Sequence, residues 1–100
     1  MDIEKNKQVV REFYEVVPDY VVRRQPFRAA HLALAERARA DGKLVLAGAF
    51  EPPDGALLVF RGKGDAEEFA RGDPYVANGL VTAWRVKGWN VVVGEGVERK

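Results

Sequence analysis

The chain has 100 residues, the size of one domain, and its 47% hydrophobic and 31% charged residues are typical of a globular protein. A net charge of +1 argues against a dedicated polyanion-binding protein, which carries a strong basic excess, so no nucleic-acid partner is expected. The absence of Cys excludes disulfides, a thiolate nucleophile and a cysteine-ligated metal site.

The N-terminal segment MDIEKNK is charged and lacks the apolar stretch of a secretory signal. No apolar run in the sequence approaches the ~20 residues that a membrane span requires. We therefore expect a cytoplasmic protein without a membrane partner. We also expect one domain over residues 1–100, with mobile ends at 1–7 and 95–100.

The first predicted element is a strand over QVVREFYEVV, residues 8–17, which is rich in β-branched and aromatic residues and is followed by Pro18. A helix is the competing interpretation, because Val9, Phe13 and Val16 also fit a helical stripe. The composition of the segment favours the strand.

A long helix is predicted after this strand. Residues 18–25 form the connection, in which Arg23 and Arg24 are expected to be solvated. Pro26 opens the helix, at a position where its missing N–H has no intrahelical partner to lose. Gly42 is a C-terminal cap signal for the same helix.

The apolar face of this helix contains the only histidine of the chain. Steps of about 100° per residue place Phe27, His31, Leu34 and Ala38 on one line, so His31 is expected to point toward the sheet. Two interpretations stay open: a core histidine that is hydrogen-bonded to a neighbour, and a functional group. Either one requires partners for the ring nitrogens.

Two strands and a short helix are predicted next. KLVLAGAF, residues 43–50, and ALLVFRG, residues 56–62, are separated by the turn EPPDG, and the apolar run of the second indicates burial on both faces. DAEEFARG, residues 65–72, is predicted to be a helix in which Asp65 and Glu68 form a capping box.

The final predicted strand is LVTAWRVKGWNVVVG, residues 80–94, broken or bent at Gly88. The order β-α-β-β-α-β is that of a ferredoxin-like α+β domain, with an antiparallel sheet and both helices on one face. In segments such as 56–60 and 91–93, the side chains that point to either face of the sheet are apolar, which indicates that the opposite face is also covered. A second copy of the chain is the expected cover, which predicts a homodimer.

The two helices are expected to bring a candidate site together. Asp73 follows the helix-ending Gly72 and precedes Pro74, and taken alone this is a helix-stopping turn. Antiparallel packing of the helices places the start of the first beside the end of the second. His31 and Asp73 are 73 − 31 = 42 positions apart, yet they are expected at the same end of the domain.

The segments PFRAAHL, LAGAF, FARGDPYVANGL and WRVKGW resemble the YCII-related (YciI-like) domain family over residues 14–94. The most specific parts are Arg-x-x-His-Leu at 28–32 and Asp-Pro-Tyr at 73–75. The resemblance implies a dimeric α+β barrel made of two ferredoxin-like subunits. It also implies an active-site His–Asp pair, which falls on His31 and Asp73. A protein class similar to this family, which acts in the degradation of chlorinated aromatic compounds, is a dehydrochlorinase. The wider barrel superfamily includes muconolactone isomerase.

Such a pair has a simple chemistry. The carboxylate orients the imidazole, which then moves a proton to or from a substrate near neutral pH, typically with a ~10²–10⁴ gain in rate. This suits an isomerase or a lyase. Arg28, one turn before His31, is a candidate for binding a substrate carboxylate, and Tyr75 is a candidate for lining the same cleft. A solvated arginine and a packing tyrosine are the respective alternatives.

The sequence lacks the residues that several other functional classes require. One His and no Cys argue against a zinc site, and no Gly-rich phosphate-binding motif follows a strand, so no metal or cofactor is expected. The chain has no Ser, which excludes a Ser-His-Asp hydrolase. The leading hypothesis is a homodimeric acid–base enzyme for a small, anionic or aromatic molecule. The alternatives are a ligand-binding protein without turnover and a structural domain in which His31 is a core residue.

Overall fold

The computed structural model describes residues 8–94, so the mobility predicted for 1–7 and 95–100 concerns residues outside the described range. The helices and strands are β1 (Gln8–Val16), α1 (Tyr20–Arg23), α2 (Arg28–Ala40), β2 (Leu44–Ala49), β3 (Gly55–Phe60), α3 (Lys63–Gly72), α4 (Pro74–Ala77) and β4 (Val81–Asn90). Within the described range, no helix is both long and apolar enough to cross a membrane.

The four strands form one antiparallel sheet in the order β2-β3-β1-β4. The two long helices, α2 and α3, pack on the same side of this sheet, so the predicted ferredoxin-like α+β fold is confirmed. We call the side without helices the open face. Its central residues are Val9, Arg11 and Phe13 of β1 and Leu57 and Val59 of β3.

The main core lies between the sheet and the helices. Leu58 and Phe60 of β3 pack in one cluster with Ala66 and Phe69 of α3, and the rings of Phe60 and Phe69 are 5.4 Å apart. The helical spacing of Ala66, Phe69 and Ala70 predicts this inward face, and all three residues are buried. Burial of a large apolar side chain contributes about 1.5–3 kcal/mol, which holds α3 on the sheet.

The start of α2 is later than predicted. Pro26 lies in a 3₁₀ turn, Gln25–Phe27, and the α-helix begins at Arg28. The predicted connection before it also contains the short helix α1. A proline that fixes φ and lacks an N–H is compatible with either kind of first turn. Gly42 has a φ of 76° just beyond the helix, which agrees with the predicted C-terminal signal.

The capping box predicted for α3 is wrong. The helix begins at Lys63, and its N-cap is Gly62, which is extended and provides no side-chain cap. Asp65 therefore lies inside the first turn rather than before it. A carboxylate in this position still interacts favourably with the positive end of the helix dipole.

The break predicted at Gly88 is also wrong. β4 runs through this residue, which pairs with Val10 in regular register, and the strand ends at Asn90. Val92 and Val93 are predicted to be strand residues, but they lie beyond the end of β4 and are 57% and 66% exposed in the single chain. Once the chain leaves the sheet, its apolar side chains no longer alternate between two packed faces.

Candidate functional site

The candidate site begins at the junction between α3 and α4. A residue before proline avoids the helical conformation, and Asp73, which precedes Pro74, adopts φ −77° and ψ 120° and ends α3. Pro74 then begins α4, and Oδ1 of Asp73 caps this helix by accepting a hydrogen bond from the Tyr75 backbone N–H at 3.0 Å. A local helix-stop signal thus positions a carboxylate for tertiary contacts.

The imidazole of His31 reaches this carboxylate from α2. Nδ1 of His31 lies 2.9 Å from Oδ1 of Asp73, whose side chain is fully buried, whereas 16% of the His31 side chain is exposed. An ionised carboxylate only accepts hydrogen bonds, so Nδ1 donates the proton and Nε2 is left as the basic nitrogen. Packing of α2 beside α3 brings the two residues together; the catalytic role of the pair stays a prediction.

A tyrosine from β1 adds a further contact to Asp73. The hydroxyl of Tyr14 donates a hydrogen bond to Oδ2 at 2.8 Å, and the side chain is buried. Burial, together with the charge of the adjacent Asp73, raises the pKa of Tyr14 far above its ordinary value, so the hydroxyl keeps its proton. No sequence motif points to Tyr14. Alternation along β1 places Tyr14 on the side that the helices cover, and a buried tyrosine hydroxyl requires a hydrogen-bond partner. This was the available signal.

The imidazole is also held by aromatic rings. Tyr75 stacks on His31 with ring centroids 3.9 Å apart and planes 7° from parallel, and Phe69 meets the imidazole edge-on at 6.1 Å. The Tyr75 hydroxyl is buried and forms no hydrogen bond of ordinary geometry within residues 8–94. Burial raises the pKa of this hydroxyl, whereas the nearby guanidinium groups of Arg28 and Arg24 oppose the increase.

A cavity of about 330 Å³ opens beside the imidazole. His31 and Tyr14 are among its lining residues, and its apolar wall includes Ala47, Ala56 and Leu58 of the sheet. This volume is at the small end of the range of ligand pockets, which suits a molecule with a single ring. Within residues 8–94, no group of three or more His, Asp or Glu side chains is placed to hold a metal ion.

Two arginines give the cavity its positive charge. Arg28, the predicted substrate-binding residue, lines it, and so does Arg24. The expectation that Arg24 is solvated is therefore wrong: its guanidinium lies over the ring of Tyr20 at 5.1 Å. Arg23 is exposed, 4.0 Å from Asp19. The short helix α1 separates the two arginines, because successive residues on a helix point about 100° apart.

A second carboxyl group lies buried on the same strand as Tyr14. Glu12 is 0% exposed, and neither of its oxygens has a hydrogen-bond partner among the described residues. Burial, followed by the negative charges of Asp73 and Glu67, raises the pKa of Glu12 to about 8. No sequence motif points to Glu12, although its position on the helix-facing side of β1 is a signal.

Known proteins share this architecture. A solved structure with a similar fold is 5-chloro-2-hydroxyhydroquinone dehydrochlorinase (TftG) from Burkholderia phenoliruptrix AC1100, in complex with 2,5-dihydroxybenzoquinone. It aligns with a TM-score of 0.68 and 23% sequence identity, over 81% of this chain and 92% of that chain. No curated protein sequence matches the chain significantly. The sequence profile of the YCII-related domain matches residues 8–90, and the chain therefore belongs to the YCII-related domain family.

Proposed function

We propose that the chain is a small-molecule acid–base enzyme, in which His31 transfers the proton and Asp73 orients the imidazole and supports its protonated form. The observation that carries this proposal is the 2.9 Å contact between Nδ1 and Asp73 at an imidazole that lines a cavity. The stacked ring of Tyr75 restrains the same imidazole. A base that is already oriented loses little conformational freedom when the substrate binds.

The proposed proton transfer uses Nε2, because Nδ1 is occupied by the carboxylate. Nε2 accepts a proton from a substrate carbon or hydroxyl, and the buried charge of Asp73 stabilises the imidazolium that forms. If the substrate carries a leaving group on the neighbouring carbon, that group departs with its bonding electron pair. If it does not, return of the proton to another atom completes an isomerisation.

The charge and size of the cavity define the proposed substrate class. Arg24 and Arg28 favour an anion, and about 330 Å³ with an apolar wall suits one ring. TftG is a dehydrochlorinase of 5-chloro-2-hydroxyhydroquinone, and its complex contains 2,5-dihydroxybenzoquinone. We therefore propose hydroxylated or quinoid single-ring anions as substrates, with elimination as the reaction to test first.

Binding is tested by isothermal titration with 2,5-dihydroxybenzoquinone. Loss of a hydrogen bond to a charged group is worth about 1.5–3 kcal/mol, so Arg24→Ala is expected to weaken binding by roughly 10- to 100-fold. Arg23→Ala is the matched control: it removes the same charge from the adjacent, exposed position and should leave the affinity within about twofold.

Turnover is tested with chlorinated hydroquinones by measuring chloride release. Chloride release that requires His31 supports the enzyme. Binding without turnover of any chlorinated or isomerisable ring supports the alternative of a non-catalytic ligand-binding protein. Absence of binding by every single-ring anion contradicts the proposed substrate class.

We further propose that two copies of the chain pair through their open faces. Val9, Val59 and Val91 form a small buried cluster on this side, while Leu46 and Trp89 around it are 41% and 39% exposed. Pairing of two sheets would remove the exposed apolar surface of Leu46 and Trp89 from water. Sedimentation equilibrium is expected to show a dimer at micromolar concentration that Leu46→Glu dissociates. A monomeric wild-type protein contradicts the pairing.

A further inference from the structure

Among the described residues, the proton transfer proposed for His31 and Asp73 leaves one buried carboxyl group unused. Glu12 lies two residues before Tyr14 on β1, on the side of the sheet that the helices cover. Its paired residues on the neighbouring strands, Leu58 of β3 and Val86 of β4, are apolar. Among the described residues, the Glu12 carboxyl forms neither a hydrogen bond nor an ion pair. A buried polar group without a partner is costly, so a role that retains it is expected.

The charges that act on Glu12 are negative. Asp73, at the end of α3, and Glu67, within α3, both disfavour ionisation of the Glu12 carboxyl. On β1 itself the nearest ionisable side chain on this face is Tyr14, which is neutral and hydrogen-bonded to Asp73. Burial acts in the same direction as these charges and is the largest cause of the raised pKa.

The two buried carboxyl groups have opposite hydrogen-bonding environments. Asp73 accepts hydrogen bonds from the Tyr14 hydroxyl, the His31 ring and the Tyr75 backbone N–H. Hydrogen bonds donated to a carboxylate stabilise its ionised form. Glu12 accepts none. Asp73 is thus surrounded by donors that suit a carboxylate, whereas Glu12 has none, and burial raises the pKa of Glu12 to about 8, which favours its protonated form at neutral pH.

We propose that Glu12 is a positioning residue of the His31–Asp73 pair: as a neutral acid it leaves Asp73 as the one charged carboxylate behind the cavity, and when it ionises it weakens the binding of anions. Its effect on ligands rests on the function proposed above, whereas its protonation state does not. The ionised group would add a negative charge beside Asp73, opposing the positive field of Arg24 and Arg28.

The protonation state is tested directly by infrared difference spectroscopy of the full chain in ²H₂O. A carboxylic acid C=O band that is present at about pH 6 and disappears as the pH rises through about 8 is expected in the wild-type protein. Glu12→Gln, an isostere of the neutral acid, should abolish this band. Glu15→Gln, which removes an exposed carboxyl from the same strand, should keep it. Absence of the wild-type band, or its persistence in Glu12→Gln, overturns the proposal.

The coupling to ligands is tested by isothermal titration with benzoate, a single-ring carboxylate that stays anionic above about pH 6. The wild-type dissociation constant is expected to increase several-fold more between about pH 6.5 and about pH 9 than that of Glu12→Gln, which retains only the pH dependence of the other groups in the cavity, His31 included. Equal pH dependence in the two proteins overturns the coupling.

The two experiments separate failure of this inference from failure of the proposed function. If benzoate binds neither protein at any pH, the anion-binding cavity and the coupling are both contradicted. The infrared band still decides where the proton lies, because it requires no ligand.

Discussion

The two faces of the sheet accommodate charged groups in different ways. On the helix-covered face, the carboxylate of Asp73 is fully buried, and hydrogen bonds, including one from Tyr14, replace water. On the open face, Arg11 and Arg85 place their guanidinium groups over the ring of Phe13, at 5.2 and 4.6 Å from its centroid. Charge on the covered face depends on specific hydrogen-bond donors, whereas the charge of Arg85 on the open face combines aromatic contact with exposure to water.

This contrast also explains why the expected apolar character of the second face is only partly observed. Over β3 the open face carries Leu57 and Val59, as the sequence predicts. Over β1 and β4 it carries Arg11, Arg85 and Lys87, which are neighbours in the strand register. Substitutions on the covered face should therefore have large, pH-dependent effects, and those on the open face should have small ones.

The largest effect is expected at the proposed proton-transfer pair. His31→Ala and Asp73→Asn should each lower kcat for a substrate identified by chloride release by ~10²–10⁴, because general acid–base assistance is lost. The double variant should be little slower than either single one, since the two residues act as a unit. Steady-state kinetics on all three proteins measures this.

Glu36→Gln is the control for the first prediction. It removes an exposed carboxylate from α2 that pairs with Arg39, and kcat should not change. Wild-type kcat in Asp73→Asn contradicts the role of the pair. If His31→Ala fails to fold, as judged by circular dichroism, the interpretation of His31 as a core residue is favoured.

The next largest effect is the pH dependence of stability caused by Glu12. Its pKa of about 8 in the folded chain lies above the ordinary value of 4.5, so the folded state binds this proton more tightly. The stabilisation is fully present below the unfolded pKa and is lost as the pH rises through about 8. Between about pH 5 and 9, the free energy of unfolding of the wild type, measured with urea, should decrease by on the order of a few kcal/mol more than that of Glu12→Gln. Parallel pH profiles of the free energy of unfolding in the two proteins contradict this prediction.

A smaller effect is expected from Tyr14→Phe. The substitution leaves Oδ2 of the buried Asp73 without its donor, which should lower the free energy of unfolding by about 1–3 kcal/mol. Tyr20→Phe is a matched control, because the hydroxyl of that buried ring forms no hydrogen bond within residues 8–94. Its removal should change the free energy of unfolding by less than about 0.5 kcal/mol. Equal destabilisation by the two substitutions, measured by chemical denaturation, contradicts the importance of the Tyr14 contact.

The smallest effect is expected on the open face. Arg85→Ala removes an exposed guanidinium that lies 4.6 Å from the ring centroid of Phe13, and solvated contacts of this kind are worth about 0.5–1 kcal/mol. Chemical denaturation at low protein concentration measures the change. A loss above about 2 kcal/mol contradicts the solvated character of the Arg85 contact.

The sequence by itself determined the order of the main strands and helices and some of the local signals at which they begin and end. Alternation and helical spacing predict which side of an element is buried, and the order β-α-β-β-α-β leads to the ferredoxin-like arrangement that is observed. Asp73 before Pro74 is a local signal, because the proline restricts its backbone and the carboxylate caps the next helix. The approach of His31 to Asp73 follows from topology, since antiparallel helices bring the start of one beside the end of the other.

Only the tertiary structure decided which side chains from other elements meet that carboxylate. Tyr14 lies 59 positions from Asp73, and its contact depends on the register of β1 and the placement of α3 above it. The burial of Glu12 follows from the same packing. Arg24 enters the cavity because of the turn made by α1. Periodicity specifies the face on which a residue lies, but the residue that it meets is set by packing between elements that are distant in sequence.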